Sequence, residues 1–344
     1  FYVAGYEQSY TLKHLLFGKE ATLEAGARVY WERFIDDKKT GDSPDSRDGI
    51  YFIPAASEEE SPIIVGQSHH YETMAFSAFL SETIKMGALD LRPGIRFEAF
   101  EQERVDRLAG SLYLDKTTFA ALPGLGFITD LKSFSFFGGV HRGFTPPSSG
   151  ALKILNFGEN SSDGGLDLKS EKSWNKEIGV RGSISFIDYE LSGYHVSIED
   201  LVAAGRGTAF KNLGKVNTMG FEVRSSLGLS NINGLLPNVD ISYSFLDTEV
   251  IDGRIISNVS GSVGSEVDID GKELPYAPAH TLLVGVYTTI SDRLSLRFDT
   301  KYVSEVYTDF ENITKTDNLG ITGPVPEYLI FNASASFQYN EKLR

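Results

Sequence analysis

Residues 168–201, LKSEKSWNKEIGVRGSISFIDYELSGYHVSIEDL, alternate apolar and polar side chains with a period of two. In the first arm Ile178, Val180, Ile184 and Phe186 share one face, broken by Gly182. Glu177, Gly179, Arg181, Ser183 and Ser185 take the other face. That period specifies an extended strand with one oily and one wet side. A turn at Ile187-Asp188 leads into a second arm, where Tyr194, Val196 and Ile198 oppose Gly193, His195 and Ser197. Each arm reaches the roughly ten residues that a tilted strand needs to cross a bilayer. A water-soluble sandwich shares the period, so the hairpin leaves both architectures open.

Composition narrows the choice. In 344 residues there is no apolar run near the ~18 needed for a spanning helix, which excludes a helical membrane protein. A transmembrane barrel stays possible, because alternating strands cancel in any average hydropathy. With no cysteine, disulfide frameworks, thiolate metal sites and cysteine nucleophiles are all excluded. A net charge of -15 with scattered basic residues argues against nucleic acid as a partner, which requires a positive stripe.

Loop lengths decide between barrel and sandwich. Tight turns fall near positions 18, 86, 131, 188 and 291, with a moderately longer one near 232. Long polar excursions fall near 50, 109, 157, 208, 264 and 317, including the tract 101–116. Short turns on one rim and long loops on the other form the outer-membrane barrel pattern, and a sandwich has no reason to sort them. The expected fold is therefore all-β, an antiparallel transmembrane β-barrel segment of about 13 strands. Trp31, Trp174, Tyr302 and Tyr307 near strand ends fit interfacial girdles.

Several stretches resemble TonB-dependent outer-membrane receptors. LKSEKSWNKEIGVRG is similar to a late-barrel signature through Leu168, Glu171, Glu177 and Gly179. NLGKVNTMGFEVR resembles the next one through Asn212, Gly214, Gly220 and Glu222. LPYAPAHTLLVGV matches a Pro-x-His strand entry at Pro275, Pro278 and His280, and VYTDFENIT follows in order. Within the family, LDLRPGIRFEAFE is most similar to ferric-citrate-type receptors. The resemblance implies that residues 1–344 are part of a barrel of typically about 22 strands, with the family's plug domain and TonB box outside this sequence. It implies active import of a ferric siderophore or ferric-citrate-like chelate across the Gram-negative outer membrane, driven by the TonB–ExbB–ExbD complex. Outer-membrane lipid and lipopolysaccharide would surround the barrel. A passive porin is the alternative. An outer-membrane enzyme would need a Ser/His pair on the lipid face, and no nucleophile elbow is present. No cofactor is expected, because iron would travel as cargo.

Strand parity sends Arg28, Arg92, Arg96, Arg181, Arg297 and His141 to the polar face, which would line the lumen. Guanidinium forks match the carboxylates of an anionic chelate. The candidate ligand-binding residues are thus Arg96, Arg28, Arg92, His141 and Arg181, with Arg96 foremost because PGIRFE resembles the ligand-arginine strand of ferric-citrate receptors. The bland alternative pairs these arginines with Glu24, Glu98, Asp90 or plug carboxylates. His69-His70 reads as a solvated loop pair. Asp268, Asp270 and Glu273 read as an acidic external loop, because calcium-loop spacing is missing.

Overall fold

The computed structural model describes residues 1–41, 43–55, 62–108, 112–147, 168–203, 211–257, 259, 263–291, 293–316 and 323–339. In chain order the strands are β1 (Tyr2–Leu16), β2 (Lys19–Lys38), β3 (Phe52–Ile53), β4 (Ile63–Ile64), β5 (Gln67–Met86) and β6 (Leu89–Asp106). Next come β7 (Leu112–Leu131), β8 (Phe134–Thr145), β9 (Glu171–Ile184), β10 (Ile187–Glu199), β11 (Val202–Ala203) and β12 (Lys211–Asn212). The last are β13 (Gly214–Leu227), β14 (Asn238–Ile256), β15 (Glu266–Asp268), β16 (His280–Ser291), β17 (Leu294–Val303) and β18 (Tyr328–Phe337). Fourteen of them form one antiparallel sheet, and β3–β4 and β11–β12 are small ribbons within long loops. Among the described residues no helix is long and apolar enough to cross a membrane.

The sorting of loops holds. Two residues separate β1 from β2, β5 from β6, β7 from β8, β9 from β10 and β16 from β17. The tight turns use left-handed backbone at Phe17 and Gly18, at Gly87 and at Ser185, as two-residue hairpins of matching twist require. Connections at the opposite ends are longer. One expected excursion shrinks: the tract 101–116 is mostly strand, because β6 runs to Asp106 and β7 starts at Leu112. Its charges hid the period, yet Gln102 and Arg104 are buried while Glu101 and Glu103 are exposed.

Two compact units divide the chain, Phe1–Thr83 with Pro93–Pro123 and Ile84–Arg92 with Gly124–Arg344. In the first, β1 and β2 pair so that Tyr6 opposes Val29 and Leu12 opposes Leu23 on the apolar face. Glu7 with Arg28, Ser9 with Gly26 and Thr11 with Glu24 form the polar face. At the long-loop end of this unit His69 is buried, contrary to the solvated-loop expectation. Its Nε2 lies 3.0 Å from Asp106 and its Nδ1 3.1 Å from Gln67. Arg104, also buried, lies over the Tyr71 ring.

In the second unit the register corrects the reading of the 168–201 hairpin. The turn residues are Ser185 and Phe186, so Ile184 meets Ile187 and Ile178 meets Gly193. A two-residue turn pairs even positions of one arm with odd positions of the other. The apolar face therefore continues through Leu191, Gly193 and His195, while Tyr194, Val196 and Ile198 join Glu177, Asn175 and Ser173 on the polar side. Carried outward, the apolar rows run Phe136–Val180–Leu191–Val223–Tyr243 and Gly138–Ile178–Gly193–Phe221–Phe245. On this face Phe136, Ile178, Ile184, Leu191 and Phe221 are exposed, Ile178 at 63%, and Val180, Val223, Tyr243 and Phe245 are half-buried. Oily side chains left in the open on one continuous face fit a sheet whose solvent on that side is lipid.

Protein core exists at the long-loop end. There Val216, Val250, Leu213, Ile255 and Ile269 are buried together, with Ile198, Leu201, Leu274 and Phe310 packed against them. The long strand β14 outruns β16, and its last residues pair with β15 instead.

Candidate functional site

The polar face of the second unit is sunken where glycines remove side chains. Gly126 on β7 opposes Gly139 on β8, and Gly139 opposes Glu177 on β9. One row away, Ile128 opposes Phe137 and Phe137 opposes Gly179. A Cβ on Gly179 would strike the Phe137 ring and lie 2.8 Å from the Leu191 carbonyl oxygen, so only glycine lets that ring lie flat on the sheet. The result is a hollow of about 290 Å³ lined by Arg92, His141, Arg181, Glu177, Phe127 and Phe137, with Gly126, Gly138 and Gly139 along its floor.

Three of the five expected ligand residues therefore converge. Arg92 comes from the start of β6, His141 from the far part of β8 and Arg181 from β9. The Arg181 guanidinium lies 5.5 Å from the centre of the Phe137 ring, which holds it across the hollow as a cation–π pair. Among the described residues no carboxylate lies within ion-pair distance of Arg92, His141 or Arg181. Two guanidinium groups and an imidazole against the single carboxylate of Glu177 give the hollow an anion preference.

The other two stand in the first unit and are placed differently. Arg96 is engaged by Glu98 through its Nε and donates to Ser77 Oγ at 3.3 Å. Arg28 lies 5.1 Å from the centre of the Tyr30 ring and faces Glu7 across the β1–β2 ladder. Arg297, also on the polar face, is taken up by Asp299 at 2.8 Å. Arg96 and Arg297 thus follow the structural alternative of a local carboxylate partner.

A larger hollow of about 760 Å³ lies nearer the tight turns. It is lined by Lys132, Arg181 and Arg224 against Asp130, Asp188 and Glu190, so its charges balance. Serines hold its acids: Ser183 hydroxyl donates to Asp188, and Ser135 hydroxyl to Asp130. Sequence reasoning found the cations by parity but missed the hollow itself. The signal lay in Gly124, Gly126, Gly138 and Gly139, whose pairing appears only once register is known.

The acidic loop binds its own backbone. Asp270 Oδ1 accepts from Gly253 N–H at 2.9 Å and Asp268 Oδ1 from Asp270 N–H at 2.9 Å. Among the described residues no group of three or more potential metal ligands gathers. At the girdle level, Arg142 lies over Trp174 and Arg33 over Trp31, while Trp31 Nε1 donates to Glu72 at 2.7 Å.

The family model described as TonB dependent receptor-like, beta-barrel matches residues 1–344. The chain belongs to this family. TonB-dependent receptor barrels sit in the outer membrane and are transporters, not enzymes. Among solved structures, the chain is similar to the unliganded ferric citrate transporter FecA, with 17% identity and a TM-score of 0.76 over 99% of this chain and 47% of that one. The siderophore receptor PiuA from Acinetobacter baumannii is 15% identical with a TM-score of 0.73, over 98% of this chain and 50% of that one. The closed ferric-catecholate import receptor Fiu from E. coli K12 is 14% identical with a TM-score of 0.71, over 98% and 48%. At these identities the likeness is one of fold. The receptor barrel segment spans about half the length of each of these structures.

Proposed function

We propose that this barrel segment forms part of the cargo-contacting wall of an active outer-membrane importer, energised through TonB, for a ferric siderophore or ferric-citrate-like chelate. The observation that carries the reading is the hollow where Arg92, His141 and Arg181 converge without carboxylate partners. The guanidinium groups of Arg92 and Arg181 would hold an anionic chelate by charge-assisted hydrogen bonds, shorter and stronger than neutral ones, with the His141 imidazole beside them. The similar solved structures, a ferric citrate transporter and a siderophore receptor, support the same class of cargo. Coupling to the TonB–ExbB–ExbD complex would act through the parts of such receptors outside residues 1–344.

The test uses the full-length receptor in outer-membrane vesicles with radioiron-loaded citrate and hydroxamate chelates. Arg92→Ala with Arg181→Ala should weaken binding of the true cargo by about ten- to a hundredfold, the loss of one to two charge-assisted hydrogen bonds. Unchanged affinity for every ferric chelate tried would remove the hollow as the cargo site. In whole cells expressing the receptor, uptake that continues after the proton-motive force is collapsed would favour the passive porin.

A further inference from the structure

We propose that the lipid face of β1 carries a self-association contact, in which Gln8 pairs with the same residue of a second copy of this receptor. Strand parity puts Gln8 on that face: it opposes Ala27 on β2, in line with Tyr6 opposite Val29 and Leu12 opposite Leu23. Ala4 opposes the girdle residue Trp31, and Gln8 lies four positions deeper along the strand. At roughly 3.3 Å per residue and a ~40° tilt, that is about 10 Å inside the apolar band. A primary amide at such a depth meets hydrocarbon, which can neither donate nor accept a hydrogen bond.

The sheet satisfies this amide by half. The Tyr6 hydroxyl donates to Gln8 Oε1 at 3.1 Å, and Gln8 Nε2 donates to the Tyr10 hydroxyl. An amide offers two N–H donors and two oxygen lone pairs, so among the described residues one donor and one acceptor position remain open. Nearer the tight turn the same face closes its own polar pair: His14 meets Glu82 of β5 at 3.0 Å, reaching across β2 where Ala21 is buried. What Gln8 still needs, a copy of this chain can supply. Two copies in one membrane share an orientation, so a two-fold axis along the membrane normal sets each residue opposite itself at equal depth. An amide is its own complement there, each Gln8 giving its spare N–H to the other's oxygen. The surroundings allow the approach: Tyr6 and Tyr10 stand exposed on either side of Gln8, and the facing β2 residues Ala25 and Ala27 are small. Tilted strands related by that axis cross, so the contact needs only the patch at the crossing point. A further strand on the open edge of β1 would continue the ladder and leave these side chains facing outward.

The inference rests on the membrane location of the family and not on the cargo, so failure of iron uptake would leave it standing. Residues 1–344 hold no cysteine, so a thiol introduced there reports its own surroundings. Full-length receptor carrying Ala27→Cys, which keeps Gln8 intact, would be treated with a short bismaleimide in isolated outer membranes. A band at twice the receptor's mass is expected, and none from Ile178→Cys on the lipid face of β9. Adding Gln8→Leu to Ala27→Cys should lower the dimer yield about tenfold, the effect of losing two hydrogen bonds of ordinary strength within a membrane. Gln8→Met should do the same, and heat-modifiable migration on gels would verify that each variant is assembled. A dimer undiminished by both Gln8 substitutions, or matched in yield by Ile178→Cys, would overturn the contact. No dimer from Ala27→Cys, or a cross-linked product of another mass, would overturn the second copy as its occupant.

Discussion

At the scale of single residues, the polar face is built as much by subtraction as by addition. Gly26 accepts the Phe79 ring, Gly179 the Phe137 ring and Gly220 the Tyr194 ring, each at a distance no Cβ would permit. Gly179→Ala should therefore destabilise the assembled receptor by roughly 1–3 kcal/mol, read as a lower urea midpoint, because the Leu191 carbonyl leaves the new methyl no room. Gly193→Ala, with open space above it, should shift the midpoint little. His69 gives a second prediction, above the apolar band that begins near Met74. Burial, aided by Arg104, holds its pKa below the usual histidine value and outweighs Asp106, which favours the charged form. An unfolded histidine takes up its proton near pH 6.5, before the folded one does, so stability from this group is present above about pH 6.5 and is lost as pH falls below it. Hydrogen exchange at residues 67–71 should accelerate on acidification, and His69→Gln should flatten that dependence.

At the scale of elements, the strands were legible and their register was not. Alternation located the long strands of the main sheet, since a half-buried strand must display its period to two different solvents, but not β3, β4, β11, β12 and β15, which lie in stretches that read as loops. Register depends on turn length and parity, and a two-residue turn at Ser185-Phe186 reassigns every side chain of β10 relative to β9. The cations of the site were visible one at a time. Their convergence was not, because it depends on cross-strand neighbours such as Gly139 and Glu177, 38 positions apart in sequence. Nor was the buried His69, since the charged tract carrying Arg104 and Asp106 reads as loop until its pairing is seen. The element prediction concerns the hairpin that β15 closes. Ile269 is fully buried against Val216 and Val250, so Ile269→Ala should cost about 2–5 kcal/mol locally. Limited proteolysis between residues 252 and 276 should speed up while the sheet stays protease-resistant.

At the scale of the whole molecule, one continuous antiparallel sheet with an exposed oily face is stable only where something apolar covers that face. Leu12, Ile178, Phe221 and Phe331 are all open to the surroundings, and lipid is the cover that the family's location supplies. Removing detergent from the purified full-length receptor should aggregate it, measured by light scattering, with strand content retained by circular dichroism. A parent protein that remained a monomer in plain buffer would contradict the membrane reading at its root.

The hydrophobic knot of Val216, Val250 and Ile269 has an immunological corollary. Because it pins the turn around Asp268 and Asp270 to the strand wall, that turn keeps a fixed shape on the bacterial exterior. Antibodies raised against the native receptor should recognise this turn as a shaped epitope and fail against the corresponding linear peptide.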